Sequence, residues 1–333
     1  MRRRDVLILL ALAPVAMPAR ADTAPVLKRI VDEFIFPRYR TLLSAAAAQT
    51  QAWQAYCPAP SDAGAAGLRD AYRATADAWS AIEFLHYGPV SENFRTERLS
   101  YWPERKNATA KALAALLAGS NTADLTPAKI REASVAAQGL PALERLLFDE
   151  DGASHIAEAR HCAVGTAIAM NIEDLAREIV AGWETLAPKL DAQEATARFV
   201  TDLLSLFEVM RDQKLRPVLG SDAANAKPRL AEGWRSGRPV RALSLNLESV
   251  GAATRIIVEA TGKSGLLLPR AITTARSLVD AIHGDLGAMA ADGKTRPPLE
   301  HLMDAVTVAR DLALTELPAA LGITLGFNSL DGD

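Results

Sequence analysis

The chain has 333 residues, 49% of them hydrophobic and 23% charged, which is enough for one large core or two ordinary ones and excludes general disorder. Two cysteines exclude a disulfide-dense scaffold and a four-thiolate metal site. A net charge of −3 without a long basic run argues against nucleic acid as a partner.

Arg2, Arg3 and Arg4 precede an apolar run from Val6 to Met17, and Ala19-Arg20-Ala21 supplies small residues before a cut. Basic start, short apolar core and A-x-A site predict a secretory signal peptide over 1–21, cleaved after Ala21. The run is far short of the ~20 residues that span a bilayer, so the mature chain is expected to carry no transmembrane segment. The adjacent arginines leave both the general secretory and the twin-arginine routes open. Removal of 1–21 leaves 33 basic and 39 acidic residues, an acidic protein expected in the periplasm. In that oxidising compartment Cys57 and Cys162 can pair, which would close a loop of about 105 residues; two buried thiols are the alternative reading.

Alanine and leucine dominate the mature chain, and 5% aromatic content leans it towards helix. Apolar residues recur at helical spacing over Leu68–Tyr87, Thr126–Phe148, Ala163–Leu186, Phe199–Leu215, Leu243–Val258 and Leu299–Leu314. Thr126-Pro127 reads as a helix start. Gly88-Pro89, Asp151-Gly152, Gly220 and Arg238-Pro239 punctuate the ends, and Pro188 is the clearest break near the middle. No run alternates like a strand. The expected fold is all-α, two antiparallel helical bundles packed together, divided into 22–190 and 191–333.

Several chemical strings dissolve on inspection. Ala260-Thr261-Gly262-Lys263-Ser264 lacks the first glycine and the preceding strand of a phosphate loop. There is no H-E-x-x-H pair and no G-x-S-x-G elbow. His155, Glu158 and His161 stand three apart, and on one helix they could hold a divalent metal; a solvated helix start is the other reading.

Most aromatic residues lie between Phe34 and Trp183. Trp79, Glu83, His86 and Tyr87 lead into Gly88-Pro89. Arg98, Tyr101, Trp102, Pro103, Glu104 and Arg105 read as a long loop, where function is more often carried than in a core helix. In Gln138-Gly-Leu-Pro141-Ala-Leu-Glu144-Arg145, the proline must kink a helix or start one.

The strings Gly139-Leu-Pro-Ala-Leu-Glu144, Gly220, Ala231-Glu-Gly-Trp234-Arg235-Ser236-Gly-Arg238 and Leu321-Gly-Ile-Thr-Leu-Gly-Phe-Asn-Ser-Leu-Asp-Gly-Asp333, together with Trp79, Gly88-Pro89, Trp102-Pro103 and Asp212-Gln-Lys-Leu215, resemble the imelysin-like family. They run in order over nearly the whole mature chain. The resemblance implies an exported two-bundle envelope protein with a site between its bundles, in a family linked to iron uptake and including members described as peptidases. The family motif G-x-H-x-x-E falls on Gly139, Pro141 and Glu144, so the glutamate is present and the histidine is not.

Proline offers no ligand. A metal, iron or another divalent ion, would rest on Glu144 with other carboxylates such as Glu83 and Glu208, or on ligands carried by the iron itself. The expected site residues are Glu83, Arg98, Trp102, Glu144, Arg145, Lys214 and Arg235, with Arg98, Lys214 and Arg235 holding anionic groups of a chelate. The leading expectation is a non-catalytic protein of iron uptake that binds iron, haem or a chelate, or assists envelope iron-uptake partners. A metal-dependent peptidase and a structural docking module of the envelope are the alternatives.

Overall fold

The computed structural model describes residues 22–119 and 121–325, and all regular structure among them is helical. The signal-peptide expectation and most of the tail string therefore lie outside the described residues. The chain enters through Ala24–Arg29 (α1), passes a π-helical turn at Ile30–Ile35, and continues as Phe36–Tyr56 (α2). Then come Asp62–Ser80 (α3), Arg95–Leu99 (α4), Ala108–Leu117 (α5), Pro127–Glu132 (α6), Leu140–Phe148 (α7), Glu150–His155 (α8) and Ala159–Leu186 (α9). The second half holds Ala192–Glu208 (α10), a π-helical Val209–Leu215, Arg216–Leu219 (α11), Pro239–Thr261 (α12), Leu268–Asp280 (α13), Leu286–Ala290 (α14) and Pro297–Leu321 (α15).

Two bundles result. In the first, α2 packs between α3 and α9, with α7 against both α3 and α9; in the second, α13 packs on α12 and α15, and α10 packs on α15. The two meet where α3 touches α12. The entering segment crosses over: α1 packs on α10 and α12 of the second bundle, although its continuation α2 belongs to the first. Phe34, Phe84 and Phe199 weld this junction, their rings meeting edge-on at 5.5–5.9 Å, a geometry worth about 0.5–1.5 kcal/mol per pair beyond burial.

Local chemistry sets the helix ends. Ser61, Thr126 and Asp191 cap α3, α6 and α10 by accepting backbone N–H groups three residues on. Cys57 and Cys162 are joined by a disulfide with Cα atoms 5.6 Å apart, tying the end of α2 to the start of α9. Among the described residues no helix is long and apolar enough to cross a membrane.

Three sequence expectations need correction. The periodic stretch Thr126–Phe148 is not one helix but α6, a short 3₁₀ turn and α7. The Gln138 side chain occupies the break, donating to the carbonyls of Arg131 and Ala133. Leu68–Tyr87 stops being helical at Ser80, where the Ser80 carbonyl accepts from Asn246 of α12. Asp151-Gly152 does not end a helix but lies inside α8.

Candidate functional site

Gly139 fixes the first wall of the site. A Cβ there would lie 2.2 Å from the Leu99 carbonyl oxygen and 2.3 Å from that of Arg98, so only glycine lets α7 begin this close to α4. Pro141 then occupies the first turn of α7, where its missing N–H costs nothing. Of the two roles open to this proline, starting a helix is the one it plays. Glu144 follows one turn later on the face turned to the second bundle.

Glu144 is only 5% exposed. Its Oε1 accepts two bonds from Ser236, the backbone N–H at 3.0 Å and the hydroxyl at 2.6 Å. Its Oε2 accepts none from the described residues, and no cation lies within ion-pairing distance. Burial pushes the carboxyl above the usual range, against the Ser236 bonds and the nearby charges of Arg235 and Arg238.

The second wall is the π-helical turn after α10, a local irregularity of a kind often found at functional sites. It carries Lys214 inward, 3% exposed. The Lys214 ammonium meets Glu83, Glu232 Oε2 at 2.6 Å and Asn246 Oδ1 at 2.8 Å, and lies 5.9 Å from the centre of the Trp102 ring. Burial and repulsion from Glu232 push the Glu83 carboxyl up to about 7, despite Lys214 and Asn246 beside it. The two carboxylates raise the Lys214 ammonium in turn, outweighing its burial.

The third wall is the segment between Gly220 and α12. Arg235 donates to Asp149 Oδ1 at 2.5 Å and lies over the Trp234 ring at 4.3 Å. Arg238 donates to Asp77 of α3. Arg145 bridges Asp149 at 3.0 Å, Glu104 at 3.2 Å and Asn107 at 2.8 Å.

These walls enclose two adjoining cavities of about 250 and 270 Å³. Glu144, Arg145, Arg235, Tyr101 and Trp234 line the first; Glu83, His86, Ser205 and Lys214 line the second. Trp79, Ser100, Trp102, Gln213 and Glu232 border both. Six of the seven residues expected at the site thus surround one bipartite cleft between the bundles.

Arg98 does not join them. It stands on α4, not in a loop, and its guanidinium turns into the first bundle, donating to Gln138 Oε1 at 2.8 Å and reaching Asn171 Oδ1 at 3.5 Å. Glu208, weighed as a metal ligand, pairs with Arg310 of α15 at 2.7 Å, away from both cavities. His155, Glu158 and His161 do not share a helix, because α8 ends at His155 and α9 starts after Glu158. Glu158 bonds the His155 ring at 2.6 Å on the surface. Among the described residues no three His, Cys, Asp or Glu side chains are grouped to hold a metal ion. Sequence reasoning passed over Asp77, Glu232, Ser236 and Asn246 as site residues; two of them lie in the same Glu232–Arg238 string as Arg235, which was the available signal.

The sequence profile of the imelysin family, Peptidase_M75, matches residues 35–312. The chain belongs to the imelysin family. No curated protein matches it. Its fold is similar to the crystal structure of an imelysin-like protein from Psychrobacter arcticum 273-4, with a TM-score of 0.79 at 20% identity over 92% of this chain and 99% of that one. It is also similar to a protein named as an iron-regulated protein A precursor from Parabacteroides distasonis ATCC 8503, with a TM-score of 0.65 at 16% identity over 91% and 97% of the two chains.

Proposed function

We propose that this protein works in bacterial iron uptake as a non-catalytic binding protein of the periplasm, taking iron as chelated cargo into the cleft between its bundles. The observation that carries this reading is Glu144, a buried carboxylate that borders a cavity and has no cation paired to it. Buried charges are paired, hydrogen-bonded or neutralised, so this one is suited to an arriving guest. The donor set around it is too poor for a bare ion, and iron must therefore bring ligands of its own. Family membership and the name of the Parabacteroides relative support the link to iron. The basic, apolar and A-x-A pattern of the first 21 residues supports export. We place the division between the bundles near residue 190, at the break that contains Pro188.

Peptidase chemistry by a resident metal needs several fixed ligands and an open position. Pro141 supplies no ligand beside Glu144, and the other carboxylates lining its cavity, Glu104, Asp212 and Glu232, are paired with Arg145, with Arg211 and Arg216, and with Lys214. The residues present do not fit a catalytic metal.

Calorimetry on residues 22–333 with ferric chelates, haem and free iron, against Glu144→Ala, tests the reading. A chelate that binds the unaltered protein and is lost in the variant is the expected result. Silence from every iron species would remove the proposal.

A further inference from the structure

We infer that the guest of this cleft presents an ammonium group, which enters the first cavity and pairs with Glu144 while the rest of the molecule stays at the mouth. The inference rests on the reading of the cleft as the binding site and adds the charge and shape of what binds.

The argument begins with the cations. Arg145 is bonded to Glu104 and Asp149, Arg235 to Asp149, and Arg238 to Asp77. Lys214 sits between Glu83 and Glu232. Every cationic side chain around the cavities is therefore already matched, and an anionic guest would have to break one of these pairs. Arg241 shares Asp77 with Arg238, so carboxylates and cations in these contacts are equal in number before Glu144 is added, and Glu144 has no ion pair at all. The unmet charge is negative.

The form of the cavity narrows the class. The first part of the cleft, about 250 Å³ beside a second of about 270 Å³, lies by itself below the ~300–1,000 Å³ that enclose a drug-sized molecule, so the space around Glu144 suits an arm of the guest and not all of it. Its walls are aromatic: Trp79, Tyr101, Trp102 and Trp234 stand around it. Aromatic faces attract cations within about 6 Å of the ring centre, and the molecule already uses two of them in this way, Lys214 over Trp102 and Arg235 over Trp234. A pocket lined by a buried, unpaired carboxylate and by aromatic rings is well matched to an alkylammonium arm. A hard metal ion would find too few oxygens there.

The test compares three iron chelates by calorimetry: ferric desferrioxamine B, whose arm ends in an ammonium, its N-acetylated neutral form, and anionic ferric citrate. The ammonium form is expected to bind at least ~10-fold more tightly than the acetylated one, with citrate weakest. Glu144→Gln, shown to be folded by circular dichroism, is expected to erase the difference. Equal binding of the first two, or preference for citrate, would overturn the inference while leaving an iron-binding role intact. Binding of n-pentylamine together with silence from every chelate would uphold the ammonium site and refute the iron reading. If neither amine nor chelate binds, both fall. Should Glu144→Gln not fold, the comparison of ammonium with acetylated chelate decides alone.

Discussion

Ser236 gives both its backbone N–H and its hydroxyl to the same oxygen of Glu144, at 3.0 and 2.6 Å, across 92 residues of sequence. This one contact pins the segment before α12 onto α7 and leaves the other oxygen of a cavity-lining carboxylate without a hydrogen bond from the described residues. Hydrogen bonds to a charged acceptor contribute about 1.5–3 kcal/mol. Ser236→Ala keeps the N–H bond and loses the other, and urea denaturation is expected to show a loss at the low end of that range. Because the hydroxyl holds the Glu144 carboxyl down against burial, the same variant should raise its titration midpoint further, as read by carbon NMR of the glutamates.

Stability should fall between about pH 4 and 7. Burial lifts Asp202 from an ordinary 3.8 to about 7, although the His86 N–H donates to it at 2.8 Å. Glu83 is lifted to about 7 as well. In this window the folded protein holds protons that the unfolded chain has released, so stability is fully present at the acidic end and is lost as pH rises through the folded values. Denaturation midpoints measured from pH 4 to 8 should trace that decline. Asp202→Asn, which cannot ionise, should flatten it; an unchanged slope in that variant would contradict the assignment.

Lys214→Met is expected to cost about 3–5 kcal/mol, because it strands Glu83 and Glu232 together without their cation. The combined change of Lys214→Met, Glu83→Gln and Glu232→Gln should recover much of that loss. Non-additivity between the single and triple variants is the measurable sign that the three side chains act as a unit.

Pro141→His tests the meaning of the missing motif histidine. Pro141 borders the first cavity one turn before Glu144, so a side chain placed there faces the same space. Two donors at this spacing are expected to raise zinc affinity at least ~10-fold over the unaltered protein, measured by competition with a colorimetric chelator.

Gly139→Ala should destabilise by about 1–3 kcal/mol or more, since the added methyl meets two rigid carbonyl oxygens, those of Arg98 and Leu99. Thermal unfolding of the variant checks this.

The all-helical fold was readable because amphipathic spacing is a local property that packing did not overrule in α9, α10, α12 and α15. The break at Ala133–Gly139 was half readable: Pro141 announces a kink or a start, but the Gln138 bonds to Arg131 and Ala133 that hold the gap leave no mark in the hydrophobic period. The break after Ser80 was not readable, because Asn246 reaches it from 166 residues away. Around the cleft, Trp102 was legible as a rare residue beside a proline, and Glu144 and Lys214 through strings that resemble the family. Asp77 looked like any surface acid of an amphipathic helix until Arg238 and Arg241 were brought to it from 161 and 164 residues away. Arg98 misled for the opposite reason: it had the composition of a binding loop but an interior partner in Gln138.

The crossing of α1 onto α10 and α12 has a mechanical consequence. The first bundle is moored to the second at its entrance through α1 and Phe34, along α3 where it packs on α12, and at its exit through the α9–α10 connection. Several moorings remove the freedom of a single hinge, so the bundles are held against swinging apart like a jaw. The segment between Gly220 and Arg238, the third wall of the cleft, is tied to both bundles by polar contacts with Asp77, Glu144, Asp149 and Lys214. The protein is built as a fixed frame with one wall held by charge.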